Sequence, residues 1–219
     1  MIQTCEEVVY EKLQGMILRG ELPVDEFLPQ RKLAEQVDAT IVTLRSALRR
    51  LENDGLIVNV PKWGVRIPAE TEKDLADRYY ARELIETGAV AKWLPCPPPN
   101  AKSELLALAA RCDAIRPEKP ESYQEFCTQH AAFHLRLVEL ADNSILIQVL
   151  MRLNFRNMML GNAHNCWMMA QEYLVASHHV TFVEKLFSLP ADEVPELIRE
   201  HVRRGYRLEL ARFQKLNKR

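Results

Sequence analysis

The stretch LPQRKLAEQVDATIVTLRSALRRLENDGLI, Leu28–Ile57, decides how the N-terminal part of the chain folds. Leu33, Ala34 and Val37 fall on one face of a short helix over 29–37, and Asp38-Ala39 reads as a turn. Thr40 stands where an N-cap belongs. Leu44, Ala47, Leu48 and Leu51 then repeat at i, i+3, i+4, i+7 until Asn53-Asp54-Gly55 stops the run with glycine in the C-cap role. On the N-terminal side, Cys5, Val8, Val9, Leu13, Met16 and Ile17 keep helical spacing before Gly20 and Pro23, and Glu21–Phe27 reads as a loop. On the C-terminal side, Leu56–Val60 and Val65–Pro68 are short β-rich runs joined by Pro61-Lys62-Trp63-Gly64, the pattern of a hairpin. Helix, helix, turn, helix, hairpin is the order of a winged helix-turn-helix, which predicts such a domain over residues 1–70.

From Thr71 onward only helical periodicities remain, over roughly 72–93, 101–115, 121–141, 144–163, 166–188 and 192–214. Breakers separate them at 95–100, 116–120, Asp142-Asn143, Gly161-Asn162 and Leu189-Pro190. The expected fold is therefore mainly α, with an all-helical, bundle-like second domain over 71–219.

The 219-residue chain carries a formal net charge of -1, which argues against a protein that grips nucleic acid with its whole surface. The distribution matters more. Between Leu28 and Pro68 seven basic residues face four acidic ones, so a locally basic patch is hidden in the total. No apolar run approaches a membrane span, and Met1–Glu11 has acidic residues where a signal peptide needs basic ones, so a cytoplasmic protein is expected. Five cysteines without a CxxC pair suggest neither a disulfide framework nor a cysteine-based zinc site.

On a helical wheel Val42, Arg45, Ser46 and Arg49 lie opposite the Leu44/Leu48/Leu51 stripe and are expected to face outward. Arginine can pair with guanine or phosphate, a serine hydroxyl with either, and an outward valine with a thymine methyl. Arg31, at the start of the preceding helix, suits a backbone phosphate. Lys62, Trp63 and Gly64 at the wing tip are placed to lie along the minor groove, although Trp63 has the alternative of packing back onto the first helix. A solvated face explains arginines on any one helix; the whole arrangement favours double-stranded DNA.

Four of the six histidines fall on inward faces of the second domain. His130 and His134 are i, i+4 and share a stripe with Phe126, Phe133 and Leu137. His179 aligns with Phe182, Val183 and Leu186, and His201 with Leu197, Ile198, Gly205 and Leu208. One such histidine is ordinarily a hydrogen-bonded core residue. Four clustered neutral imidazoles need a partner for every ring nitrogen, and a divalent metal satisfies them together. His178 ranks behind His179 because its i+7 neighbour is Lys185. Imidazole ligands favour zinc or nickel over magnesium or calcium. Arg82, Arg152 and Arg156 are candidate clamps for the carboxylate of an effector.

The Leu28–Ile57 run followed by Trp63-Gly64-Val65 resembles the GntR family of bacterial regulators. That resemblance implies DNA-contacting roles for Arg31, Thr40, Arg45 and Gly64. It also exposes a departure, because most members carry arginine immediately after the capping residue and this chain has Ile41. His130-Ala-Ala-Phe-His134, Asn143, His179 and His201 reproduce the spacing of the FCD effector domain of the FadR subfamily. There the usual ligands are one aspartate and three histidines, and the aspartate position is His130 here. An all-imidazole set leaves a bound divalent ion its full charge and a stronger pull on an anion.

The expected protein is a homodimeric, ligand-responsive repressor on a roughly palindromic operator, sensing a small organic acid at its metal site. Two rivals are a sensor in which the ion is the signal and a metalloenzyme fused to a DNA-binding head. Against the enzyme, Ala131 stands where the glutamate of HExxH would be.

Overall fold

A computed structural model describes residues 4–116, 119–163 and 178–217. The chain resolves into two compact units, Met1–Glu70 with Phe155–Ala163, and Thr71–Asn154 with His164–Arg219.

The first unit opens with α1 (Cys5–Leu18), whose start is closed reciprocally by Thr4 and Glu7. Each donates a backbone N–H to the other's side chain, at 3.2 Å and 3.0 Å. The helices α2 (Gln30–Val37) and α3 (Ile41–Asn53) follow, joined through Asp38 at φ +53°. Thr40 caps α3 by accepting the Thr43 N–H at 3.2 Å. At the other end Leu56 N–H reaches Leu51 O at 3.0 Å and Gly55 N–H reaches Glu52 O at 2.9 Å. With Gly55 at φ +73° this is a Schellman closure, the role its position predicts.

Beyond it, β2 (Val58–Val60) and β3 (Gly64–Arg66) form the expected hairpin. Where a loop up to Phe27 was expected, Phe27–Leu28 is a third strand, β1, pairing antiparallel with β3 in the order β1-β3-β2. Two residues are too few to show an alternation, so the strand was invisible as a pattern. The predicted apolar stripe is the core: Leu13, Leu33, Leu44, Leu48, Leu51, Leu56 and Val65 are all at most 2% exposed. Each is worth roughly 2 kcal/mol on removal from water.

The remaining helices are α4 (Glu72–Trp93), α5 (Ala101–Ala114), α6 (Pro120–Glu139), α7 (Ser144–Ala163), α8 (His179–Leu186) and α9 (Val194–Asn217), all in the second unit except the Phe155–Ala163 part of α7. The part of the helix expected over 166–188 that precedes His178 lies outside the described residues. Asn143 starts α7, its Oδ1 accepting the N–H groups of Ile145 and Leu146 at 3.1 and 3.2 Å. Ala89, Leu105, Phe133, Leu137, Leu150 and Val183 join five of these helices into one fully buried core. No described helix is long and apolar enough to cross a membrane.

Candidate metal centre and nucleic-acid interface

His130 and His134 reach the centre from α6, His179 from the first turn of α8 and His201 from α9. One nitrogen from each of His130, His134 and His179 lies within 4.8 Å of the others. The Nε2 atoms of His130 and His134 are 3.1 Å apart. A tetrahedral ion with nitrogen ligands near 2 Å requires about 3.3 Å between them, so this pair already stands at a coordination edge. The His201 ring is centred 5.2 Å from His134 and 5.3 Å from His179, resting on Phe182 at 4.3 Å, just outside the group of three. His178 is exposed, whereas His179 is buried.

Two carboxylates that the sequence reading missed orient this set. Glu86 on α4 meets His134 Nδ1 at 2.7 Å and accepts from Arg82 Nε at 2.9 Å, all three side chains being buried. Asp113 at the end of α5 meets His179 Nδ1 at 2.9 Å while accepting the backbone N–H groups of His179 and Val180 at 3.2 and 3.0 Å. With each Nδ1 engaged, the Nε2 lone pairs are left for a ligand. His179 Nε2 is buried and has no hydrogen-bond partner. An orphaned acceptor beside two more imidazoles fits a divalent transition ion.

A signal for Glu86 was present. It lies at i+4 from Arg82 on the stripe that continues through Ala89, Val90 and Trp93, so a carboxylate sat on a buried helix face. Nothing local marks Asp113.

The electrostatics suit ligation. Burial, then the neighbouring His134 and His179, holds His130 well below the ordinary imidazole value. Burial, then Arg82, does the same to His134, and burial, then His134, to His201. Neutral rings present lone pairs. Burial works to raise the Asp113 carboxyl, but the hydrogen bonds from His179 and Val180 outweigh it and hold it below the usual carboxylate range.

A cavity of about 40 Å³ adjoins the four rings, with Tyr79, Arg82 and Arg204 among its walls. Of the three candidate clamps, Arg82 lines this cavity, its Nε held by Glu86. Arg204, one turn beyond His201, was not anticipated. Arg152 is corrected: it is exposed on α7 and does not line this cavity. The side chain of Arg156 lies outside the described residues.

In the first unit, Arg31, Arg45, Arg49, Lys62, Trp63 and Gly64 all line a groove of about 690 Å³ between α3 and the hairpin. Arg45 Nε donates to Gln30 at 3.0 Å, and no carboxylate pairs with Arg31, Arg49 or Lys62 among the described residues. Thr40 is exposed beside Ile41, and Val42 is 80% exposed. Trp63 is also exposed and packs at a tilt against Phe27, ring centres 5.4 Å apart, rather than onto α1.

Ser46 departs from its expected place. It is half-buried, and its Oγ donates to Glu6 of α1 at 2.6 Å, because α1 packs along that side of α3. Gly64 has a backbone role: at φ +109° an added Cβ would lie 2.3 Å from the Leu28 carbonyl oxygen, where β1 crosses β3.

These two constellations coincide with two family models. Residues 6–67 match the bacterial regulatory proteins of the gntR family, and residues 77–204 match the FCD domain. The chain belongs to the GntR family. As a GntR regulator with an FCD domain, it has the architecture of a DNA-binding transcription regulator rather than an enzyme, and regulators of this family bind DNA operators. It is 26% identical over 206 residues to the HTH-type transcriptional repressor GlaR of Escherichia coli (strain K12), covering 88% of this chain and 90% of that one. Among solved structures it resembles E. coli McbR/YncC, with TM-score 0.74, 18% identity and 97% and 100% of the two chains covered. It also resembles a GntR transcriptional regulator from Rhodococcus sp. RHA1, with TM-score 0.72, 18% identity and 93% and 96% covered. At these identities the two structures speak to the fold.

Proposed function

We propose that this GntR regulator is a homodimeric, cytoplasmic repressor whose DNA-reading head, residues 1–70, is controlled by an effector domain, residues 71–219. In this reading the domain holds a divalent transition ion, zinc or nickel, and binds a small organic acid on it. The observation that carries the proposal is the convergence of His130, His134 and His179, two of them backed by carboxylates, around an unsatisfied buried nitrogen. His201 completes the set by a small closure. Such an ion supplies a Lewis-acidic, positively charged seat for an anion. With imidazole at position 130 the ion keeps its full +2 charge.

Arg82 and Arg204 flank that seat and suit a carboxylate. The cavity, about 40 Å³, has room for an ion and a water or two. An acid larger than that must widen the space between α4, α6 and α9, and this widening is the lever by which binding shifts the helices. A two-fold dimer presenting two heads makes the operator a rough palindrome. Repression follows the E. coli relative, which carries that name.

The experiment combines elemental analysis of the purified protein with operator binding measured during titration of metal and then of hydroxy acids, sugar acids and dicarboxylates. Stoichiometric metal, with operator release on adding one class of acid, is expected. A graded response to metal alone makes the ion the signal. Absence of stoichiometric metal overturns the site.

A further inference from the structure

A second cavity in the effector domain, of about 360 Å³, is bounded by the end of α4, the Pro95–Pro97 turn, the end of α8 and the start of α9. Its volume falls in the range of small-molecule sites, whereas the histidine cavity is some ninefold smaller. Eleven of its twelve lining residues are apolar and none is charged, which excludes an organic acid as occupant. The exception is Thr87. Its Oγ1 is buried and has no hydrogen-bond partner. With no surface open to the cavity, that hydroxyl lies behind the wall, and what an occupant meets is apolar.

The walls are stiff. Phe187 packs on Trp93 at 5.9 Å, and the Trp93 indole N–H donates to Leu137 O on α6 at 2.9 Å. The opening is ready formed rather than induced, which lowers the ordering cost of binding. Thr87 adjoins Glu86, which holds His134, α8 carries both His179 and Leu186, and Ile198 precedes His201 by one turn, so three helices serve both cavities.

We propose that this cavity binds a small, uncharged, apolar molecule, such as an aromatic hydrocarbon. It is a second ligand input, and it does not depend on the metal.

Titration calorimetry with 1-methylnaphthalene on the full chain tests this. One site per chain is expected, with the same affinity before and after the metal is stripped by chelator. Ala91→Trp, which fills the cavity from α4, lowers the affinity at least tenfold; Ala191→Phe, from the exposed turn before α9, does the same if the first variant misfolds. No saturable binding, full affinity in a folded cavity-filling variant, or loss of binding with the metal overturns the proposal. The last result would place the ligand at the histidine centre instead, and metal content, measured separately, tests that centre on its own.

Discussion

Glu86 Oε2 lies 2.7 Å from Nδ1 of His134, and neither side chain is more than 2% exposed. The contact spans two helices and 48 residues of sequence. It turns Nε2 of His134 toward the other imidazoles and raises its basicity as a ligand. Glu86→Gln retains the shape and removes the charge. Metal affinity should fall about tenfold to a hundredfold, as read by competition with a chromophoric chelator. Unchanged affinity would mean that Glu86 is only a partner for Arg82.

The histidines differ in what they support. His134→Ala and His179→Ala are expected to lose bound metal and thermal stability together, because folding and metal binding are linked. His178→Ala, at an exposed position, should change neither. Elemental analysis beside thermal melts of all three variants checks this, and metal retained in both buried-site variants contradicts the assignment.

The metal-free domain should depend on pH in one direction. His130, His134 and His201 are held well below 6.5 in the folded chain, chiefly by burial, while in the unfolded chain they titrate near 6.5. Below that value the unfolded state takes up protons that the folded state refuses. Their contribution to stability is therefore present above about pH 6.5 and is lost as pH falls through the folded values. Melting in chelator between pH 8 and 5 should show a Tm that is level down to about pH 7 and falls on further acidification; a profile flat to pH 5 would show that these rings are not held neutral.

Ile41 occupies the first residue of α3, half-buried against the core of the head and lining the same surface as Arg31 and Thr40. Ile41→Arg adds a cation at that edge. The slope of log K against log salt should steepen by about 0.9, one further phosphate contact, and operator preference should shift. Binding across an operator library at several salt concentrations measures both. If slope and preference match the parent, the departure at Ile41 does not bear on DNA reading.

Two glycines of the head predict different costs. Gly64→Ala meets the Leu28 carbonyl and a backbone at φ +109°, so unfolding free energy should drop by more than about 3 kcal/mol and operator binding should suffer as the wing shifts. Gly55→Ala, at φ +73° with open space around it, should cost about 1 kcal/mol and spare DNA binding. Denaturant titrations of the two variants separate them, and equal losses would contradict the crowding at β1.

The sequence by itself determined what depends on neighbours along the chain. Apolar spacing placed the helices, Thr40 and Gly55 marked the ends of α3, and the i, i+4 pair of His130 and His134 needed only helical periodicity to share a face. The outward face of α3 was legible for Val42, Arg45 and Arg49, whose exposure follows from the stripe opposite them. Ser46 was not, because the hydroxyl is claimed by Glu6, 40 residues away, once α1 packs beside it. Strand β1 was hidden for the same reason: two residues carry no period, and only the edge of β3 gives them partners. The tertiary structure alone decided that Glu86 and Asp113 stand behind His134 and His179, and that Arg204 rather than Arg152 borders the cavity. Hydrogen bonds and charges act over a few ångströms in space with no regard for separation in sequence. A candidate metal centre assembled from five helices is therefore complete only when those helices have packed.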